Sequence, residues 1–479
     1  MFNANRQTVV IQGLGFVGLA VAGVVSTTLG TDDLPKYNVI GIDLPSETTK
    51  INDINSGKCP IKSPDKDLER SIAKGVKEYK NLYATFDEKA FKYGDIIIID
   101  IPLDITNRFE YSPDKLELTI QPFIEGLKTI ARNMRPEALI ILESTVPVGM
   151  TEKVVIPTLI SGLKTRNIKK SPKVAHAYER VTPGKNYIKS IRCLDRVCSA
   201  NSSIALDEAK LFLDSILQKK ARAATLLNTS STELAKLLEN SYRATNIAFI
   251  HEWALAAEEI GINLFDVIEN IKERKGTHDN IRLPGFGVGG YCLTKDSLLA
   301  QWGLTNFYNL DVTLPLTLKS IMVNNHMPLH TIKLLEKLFD EPCKGKRITI
   351  LGAAYLPNVP DSRNSPTEVL AKELYSIGNQ IMIHDPICDF NADFTHWNCT
   401  NNLEEALYDP DAVVFATKHS EYERFDWISK FTNLNSKPCI VDGQDVINDK
   451  LASSLHKIGV KLCGYGKGHW NQFNYQHEN

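Results

Sequence analysis

The chain has 479 residues, 43% hydrophobic and 23% charged, enough for two or three globular domains rather than one core. Lysine and arginine total 55 against 57 acidic residues, and this formal net charge of -2 leaves no global field for holding nucleic acid or an anionic membrane. The nine cysteines are scattered, odd in number and without zinc spacing, so neither a disulfide framework nor a metal site is expected and a reducing cytoplasm is the expected compartment.

The polar stretch Met1 to Gln7 and the glycines after it read as strand and turn rather than a signal peptide. The longest apolar run, Ile96 to Leu103, contains Asp100 and is too short to span a bilayer, so no membrane partner is expected.

In chain order, Thr8 to Gln12 predicts a strand that enters Gly13, Leu14, Gly15, Phe16, Val17, Gly18 and continues as a helix. Asn38 to Ile42, Asp95 to Ile101, Ala138 to Leu142 and Lys173 to His176 predict further strands, the alternation expected of a doubly wound parallel sheet. From Ser230 to about Gly261 there is no Pro or Gly, which predicts one long helix ended by Gly261. A second strand, glycine and helix unit follows: Arg347 to Leu351, Gly352, then Ser365 to Ile377. Ile381 to His384, Ala412 to Ala416 and Pro438 to Val441 supply more buried strands. The expected fold is therefore α/β, with two Rossmann-like doubly wound domains joined by a central helical domain with one long helix. The expected boundaries are 1–222, 223–335 and 336–479. The polar stretch after Trp470 is expected to be a flexible tail.

Gly13, Gly15 and Gly18 suit a tight turn, a close backbone approach to pyrophosphate and near packing of helix on strand. Asp43, closing the second strand, can accept both ribose hydroxyls, and its charge would repel a 2'-phosphate, so NAD is expected rather than NADP. Its spacing of 25 from Gly18 is accounted for by the insert around Thr31 to Tyr37. Pro102 follows the third strand, and Ser144 and Thr145 follow the fourth, where parallel sheets bind ligands; taken singly, Ser or Thr there is equally a helix cap. Glu179 and Arg180, beside Val181, are equally an acid near a ligand or half of a salt bridge. Lys236, Asn240 and Arg243 share one face of the long helix, a face that charged runs more often present to water. In Gly285 to Asp296, Gly287, Gly289 and Gly290 permit a loop whose backbone can lie against a ligand. That loop ends at Cys292, followed by Lys295, whose charge favours the thiolate, and Asp296.

These blocks, in order over nearly the whole chain, resemble the UDP-glucose/GDP-mannose dehydrogenase family: the glycine turn, Ser144 to Gly149, Glu179 to Gly184, Lys236 with Asn240, Gly285 to Asp296, Asp361 to Pro366, and Asp385 with Pro386. The resemblance implies an N-terminal NAD domain, a central dimerising helix, a C-terminal domain for the nucleotide of a UDP-sugar, a homodimer or higher homo-oligomer, and a place in polysaccharide biosynthesis. It implies four-electron oxidation of the C6 alcohol to the uronate. In that scheme Cys292 is the nucleophile, forming a thiohemiacetal and then a thioester, with a second NAD taking the second hydride. Lys236 and Asn240 match oxyanion-stabilising groups, Asp296 a water-activating residue, Thr145 a water-orienting position, and Glu179 a glutamate near the sugar. Arg363 and Lys295 match the cofactor side; Arg180, Val181, Arg243 and Arg282 match the substrate side.

Glu179, Arg180, Pro183 and Gly184 resemble the UDP-N-acetylhexosamine branch, with Pro183 where the glucose branch has a second glutamate, and Asn240 to Phe249 does likewise. Lys295 is more like the glucose branch, and Leu356 replaces a common lysine. Two other readings are a two-electron hydroxy-acid dehydrogenase, which needs no cysteine, and an inactive nucleotide-sugar-binding homologue, which Leu356 alone favours.

Overall fold

The computed structural model describes residues 3–106, 115–181, 184–218, 221–390, 394–434 and 436–474. The chain divides into two compact units, Met1–Glu239 with Leu298–Thr313, and Asn240–Ser297 with Leu314–Asn479.

In the first unit the strands are β1 (Gln7–Gln12), β2 (Tyr37–Ile42), β3 (Leu82–Thr85), β4 (Ile96–Ile99), β5 (Asp104–Thr106), β6 (Glu117–Thr119), β7 (Leu139–Leu142), β8 (Lys173–His176), β9 (Arg196–Ala200) and β10 (Ala223–Thr225). Eight of them form one sheet in the order β10-β9-β8-β7-β4-β1-β2-β3, while β5 and β6 form a separate small ribbon. Every neighbouring pair in the large sheet is parallel except β8 with β9. Period-two alternation explains why so many strand residues are apolar: Val9, Ile11, Ile96, Ile98, Leu139 and Ile141 enter one core cluster, and Val10, Ile97, Ile99, Ile140 and Leu142 another. The strand order reverses between β1 and β4, which places a ligand crevice at their carboxyl ends.

The second unit repeats the plan with β11 (Arg347–Leu351), β12 (Gln380–His384), β13 (Asn398–Thr400), β14 (Ala412–Phe415), β15 (Cys439–Asp442) and β16 (Leu462–Gly464). All pairs are parallel, in the order β13-β12-β11-β14-β15-β16, with the reversal at β11 and β14. Ile348, Ile350 and Val414 pack on one face, and Leu351, Val413 and Phe415 on the other.

One helix, Thr229–Glu259, runs 31 residues, about 46 Å at the rise of an α-helix. It ends two residues before Gly261, whose φ of +77° gives the left-handed turn that side chains resist. Of the stretch after Trp470, expected to be a flexible tail, the described part departs from that reading, while 475–479 lie outside the described residues. Asn471–Asn474 is helical, and Phe473 packs on the second sheet's core with its ring stacked 5.6 Å from His456. An apolar residue in a polar run is enough to dock it. Among the described residues no helix is long and apolar enough to cross a membrane.

Candidate active site

Each glycine of the first turn meets a different constraint. Gly13 has φ +94° beneath the Asp100 carbonyl, and Gly18 packs on the Gly13 carbonyl. Gly15, directly before the helix Phe16–Ser26, has nothing within 4 Å of where a side chain would begin. That empty approach beside a helix N-terminus is what a dinucleotide pyrophosphate requires, so the residues fit NAD. Phe16 and Val17 are half-buried at the helix start, and Pro102 is exposed after β4. Asp43 accepts the Leu14 N–H at 3.2 Å, the Leu44 N–H at 2.9 Å and Lys50 Nζ at 3.1 Å, so its carboxylate is oriented at the end of β2.

Carboxyl groups crowd the ends of the central strands. Glu143, directly after β7, forms a buried ion pair with Arg196, which also donates to the carbonyls of Tyr178 at 3.0 Å and Ala177 at 2.9 Å. Asp100, after β4, is held well above the usual carboxylate range by desolvation and then by the Glu143 and Glu179 charges. Ser144 Oγ donates to the Ile101 carbonyl at 2.7 Å, and Thr145 is half-buried beside it. Lys236, 7% exposed, donates from Nζ to the Glu179 carbonyl at 3.0 Å and lies 3.9 Å from its carboxylate. The Val181 N–H donates to Glu179 Oε2. Arg180 pairs with Glu239 at 3.2 Å and donates to the Asp195 carbonyl at 2.8 Å. Thr145, Glu179 and Lys236 thus belong to the first unit; Pro183 lies outside the described residues.

The second unit holds the cysteine. Cys292 is half-buried, and its carbonyl accepts the Lys295 and Asp296 N–H groups at 3.1 and 2.9 Å at the start of the helix Asp296–Tyr308. A helix N-terminus favours a thiolate. Arg363 and Arg243 lie close enough for the Cys292 charge to act on both. Arg363 donates to both Asp361 carboxylate oxygens, at 2.8 and 2.6 Å. Desolvation and then the Arg282 guanidinium draw Arg243 below its ordinary range, while both arginines keep contact with solvent. Asp296, fully buried, accepts Asn240 Nδ2 at 2.6 Å on one oxygen and Lys295 Nζ at 3.2 Å on the other. Lys295 Nζ also lies 4.5 Å from the centre of the Tyr291 ring.

The glycine loop is fastened to its own unit. The Gly290 N–H donates to the Arg363 carbonyl at 3.0 Å and Asn364 Nδ2 to the Gly290 carbonyl at 3.1 Å. Side chains at Gly287, Gly289 or Gly290 would strike Pro366, Pro328 or Tyr355. These glycines therefore answer to packing within the protein.

No motif in the sequence assigns a site role to Asp100, Arg196, Glu233 or Tyr355. A charge directly after a run of isoleucines marks Asp100, but nothing local to Arg196 announces its pairing with Glu143. Among the described residues no group of three or more His, Cys, Asp or Glu is arranged to hold a metal.

A largely parallel sheet with an open glycine turn, and a second unit with an all-parallel sheet and a cysteine loop, define a dehydrogenase with two nucleotide-binding folds. Comparison with known proteins makes this specific. Residues 7–210 match the NAD binding domain of the UDP-glucose/GDP-mannose dehydrogenase family, residues 230–326 its central domain, and residues 349–449 its UDP binding domain. A UDP-N-acetyl-D-mannosamine dehydrogenase of Methanocaldococcus jannaschii is 31% identical, over 97% of this chain and 98% of that one. A UDP-glucose 6-dehydrogenase of Rickettsia prowazekii is 27% identical, over 95% and 98%. The solved structure of a UDP-D-ManNAc dehydrogenase from Pyrococcus horikoshii superposes with a TM-score of 0.82 at 28% identity, covering 97% of this chain and all of that one. The chain belongs to the UDP-glucose/GDP-mannose dehydrogenase family and is an NAD-dependent oxidoreductase.

Proposed function

We propose that this enzyme oxidises the C6 alcohol of a UDP-sugar to the carboxylate through a covalent intermediate on Cys292. The observation that carries the reading is Cys292 at a helix N-terminus, four residues before a buried Asp296 gripped by Asn240 and Lys295. NAD, when bound, takes up a hydride in each of the two oxidations. The Cys292 thiolate adds to the intermediate aldehyde, which would otherwise escape, and forms a thiohemiacetal; loss of hydride leaves a thioester. Water then adds to the thioester carbonyl, the C–S bond breaks, and the uronate leaves with Cys292 returned as thiolate. Lys236 and Asn240 stabilise the charge on the former C6 oxygen, Asp296 draws the proton from the attacking water, and Thr145 orients it. Glu179, Arg180, Val181, Arg243, Arg282 and the loop at Gly287, Gly289 and Gly290 face the sugar and its diphosphate. Gly13, Gly15, Phe16, Val17, Gly18, Asp43, Pro102, Ser144, Thr145, Lys295 and Arg363 serve the cofactor.

The work divides among an NAD region, 1–222, a central region, 223–335, and a nucleotide-sugar region, 336–479. The favoured substrate is a UDP-N-acetylhexosamine, on the branch-like residues Glu179 and Arg180 and on relatives of that activity. UDP-glucose is the second reading, on Lys295 and relatives such as that of Rickettsia prowazekii. The enzyme acts as a cytoplasmic homodimer. Its nine cysteines form no disulfide, and Leu238, Tyr242, Phe249 and Trp253, each at least half exposed, recur along one face of the long helix. Purified enzyme with NAD and a panel of UDP- and GDP-sugars, followed by NADH absorbance, tests the reading. Turnover is expected with a UDP-N-acetylhexosamine or UDP-glucose; turnover with none of the sugars refutes it.

A further inference from the structure

The segment after β7 turns sharply at Gly149, with φ +92°, and a methyl there would stand 3.0 Å from the Tyr308 ring. One side chain of the long helix holds this turn. Glu233, 1% exposed, accepts the Gly149 N–H at 2.6 Å on Oε2, and on Oε1 the Thr151 N–H at 2.8 Å and the Thr151 hydroxyl at 2.6 Å. Lys236 follows three residues later on the same helix, on a neighbouring part of its surface. The backbone just beyond Thr145 and the amine of Lys236 therefore share one support, within one unit of the chain.

The charged and titratable neighbours are few. Glu152 lies on the clamped segment and accepts the Thr229 hydroxyl at 3.3 Å; Lys153, beside it, has its Nζ 4.9 Å from the centre of the Tyr308 ring. On the β8 side, His176 Nδ1 meets Thr232 Oγ at 2.7 Å, and burial lowers its pKa to about 3, so it is neutral. Burial raises the Glu233 carboxyl, the Thr151 and Gly149 donors oppose this, Glu152 adds to it, and the balance lies at about 7. The two amides can only donate. A proton on Glu233 competes with these donors for one carboxyl oxygen and removes the charge that strengthens their hydrogen bonds, so the clamp is tightest when the carboxylate is ionised.

We propose that Glu233 is a positioning residue of the oxidation: its carboxylate clamps Gly149 and Thr151 to the long helix and so fixes the Ser144 and Thr145 turn relative to Lys236. The inference rests on the reading of the site given above and assigns Glu233 no contact with the reacting atoms.

Glu233→Gln, which keeps the side chain's size but turns an N–H₂ toward donors, tests it with two readouts on the full-length enzyme. Hydrogen exchange at Gly149 and Thr151 is expected to quicken at least tenfold, with peptides from β11 and β14 unchanged. In steady-state turnover of the UDP-sugar, kcat is expected to fall at least tenfold with KM within twofold. Wild-type kcat is expected to fall as pH drops below about 7, where Glu233 takes up a proton, and in Glu233→Gln that fall should flatten. Unchanged exchange overturns the clamp; quickened exchange with wild-type kcat and pH profile overturns the positioning. If wild type oxidises no nucleotide sugar, the functional reading fails while the exchange result still decides the clamp. Should Glu233→Gln not fold, Thr151→Val removes one donor and leaves the carboxylate. It should slow turnover in the same direction by a smaller factor, and wild-type kcat in that variant overturns the proposal.

Discussion

Two alanine substitutions, three residues apart, separate what the glycine turn does for the fold from what it does for the cofactor. At Gly18 the added carbon would lie 1.9 Å from the Gly13 carbonyl oxygen and 3.1 Å from Asp100 Oδ2. Non-bonded atoms rest at about 3.5 Å, so the methyl is short of room by roughly 1.6 Å, and the obstacle is backbone. The helix Phe16–Ser26 must retreat from β1, an overpacking expected to cost about 1–3 kcal/mol of stability. At Gly15, by contrast, nothing lies within 4 Å, and φ −75° with ψ −160° is open to alanine. Gly15→Ala should therefore change stability by no more than about 1 kcal/mol, the difference between Gly and Ala at a helix cap. It should still weaken NAD binding tenfold or more, roughly 1.4 kcal/mol, because the methyl fills the path the pyrophosphate takes. Urea unfolding and calorimetric titration with NAD measure the two effects. Gly15→Ala with wild-type NAD affinity, or Gly18→Ala with wild-type stability, refutes the reasoning.

Arg196→Met leaves Glu143 buried without its cation and should cost about 3–5 kcal/mol in urea unfolding; a loss below about 1 kcal/mol contradicts the pairing. Burial tends to raise the Asp385 carboxyl, but His419 and the Ala354 and Ile387 amides outweigh it and hold it at about 2. A depressed carboxylate stabilises the protein above its unfolded pKa and stops doing so as pH falls through its folded one. The stability gap between wild type and Asp385→Asn should thus shrink by roughly 2 kcal/mol from about pH 4 to pH 2, and a constant gap contradicts this. Phe249→Glu with Trp253→Glu should give a monomer by light scattering if the exposed helix face joins two subunits; an unchanged mass contradicts that interface.

Both sheets were legible because their strands are buried on two faces, so runs such as Ile96–Ile99 stand out whatever their neighbours. The long helix was legible from the absence of Pro and Gly. The edge strands β3, β10, β13 and β16, and β9 next to β10, were not, since three to five residues of mixed polarity carry no period to read. At the site, the spacing of Lys236 and Asn240 revealed their shared face. The partners of Glu143 and Glu233, 53 and 82 to 84 residues away, are set by tertiary packing that no local pattern encodes. At the loop from Gly287 to Gly290 the glycine pattern suggested a ligand, and Tyr355, Pro328 and Pro366 add a packing reason, not readable in the sequence, for three of them to lack side chains.

The central claim is that Cys292 bonds to the half-oxidised sugar. Counting NADH formed per sugar consumed, in wild type and in Cys292→Ala, tests it most directly. The account predicts two NADH and one uronate per sugar in wild type and no uronate in the variant. A ratio of one in wild type, or full oxidation without the sulfur, would contradict it.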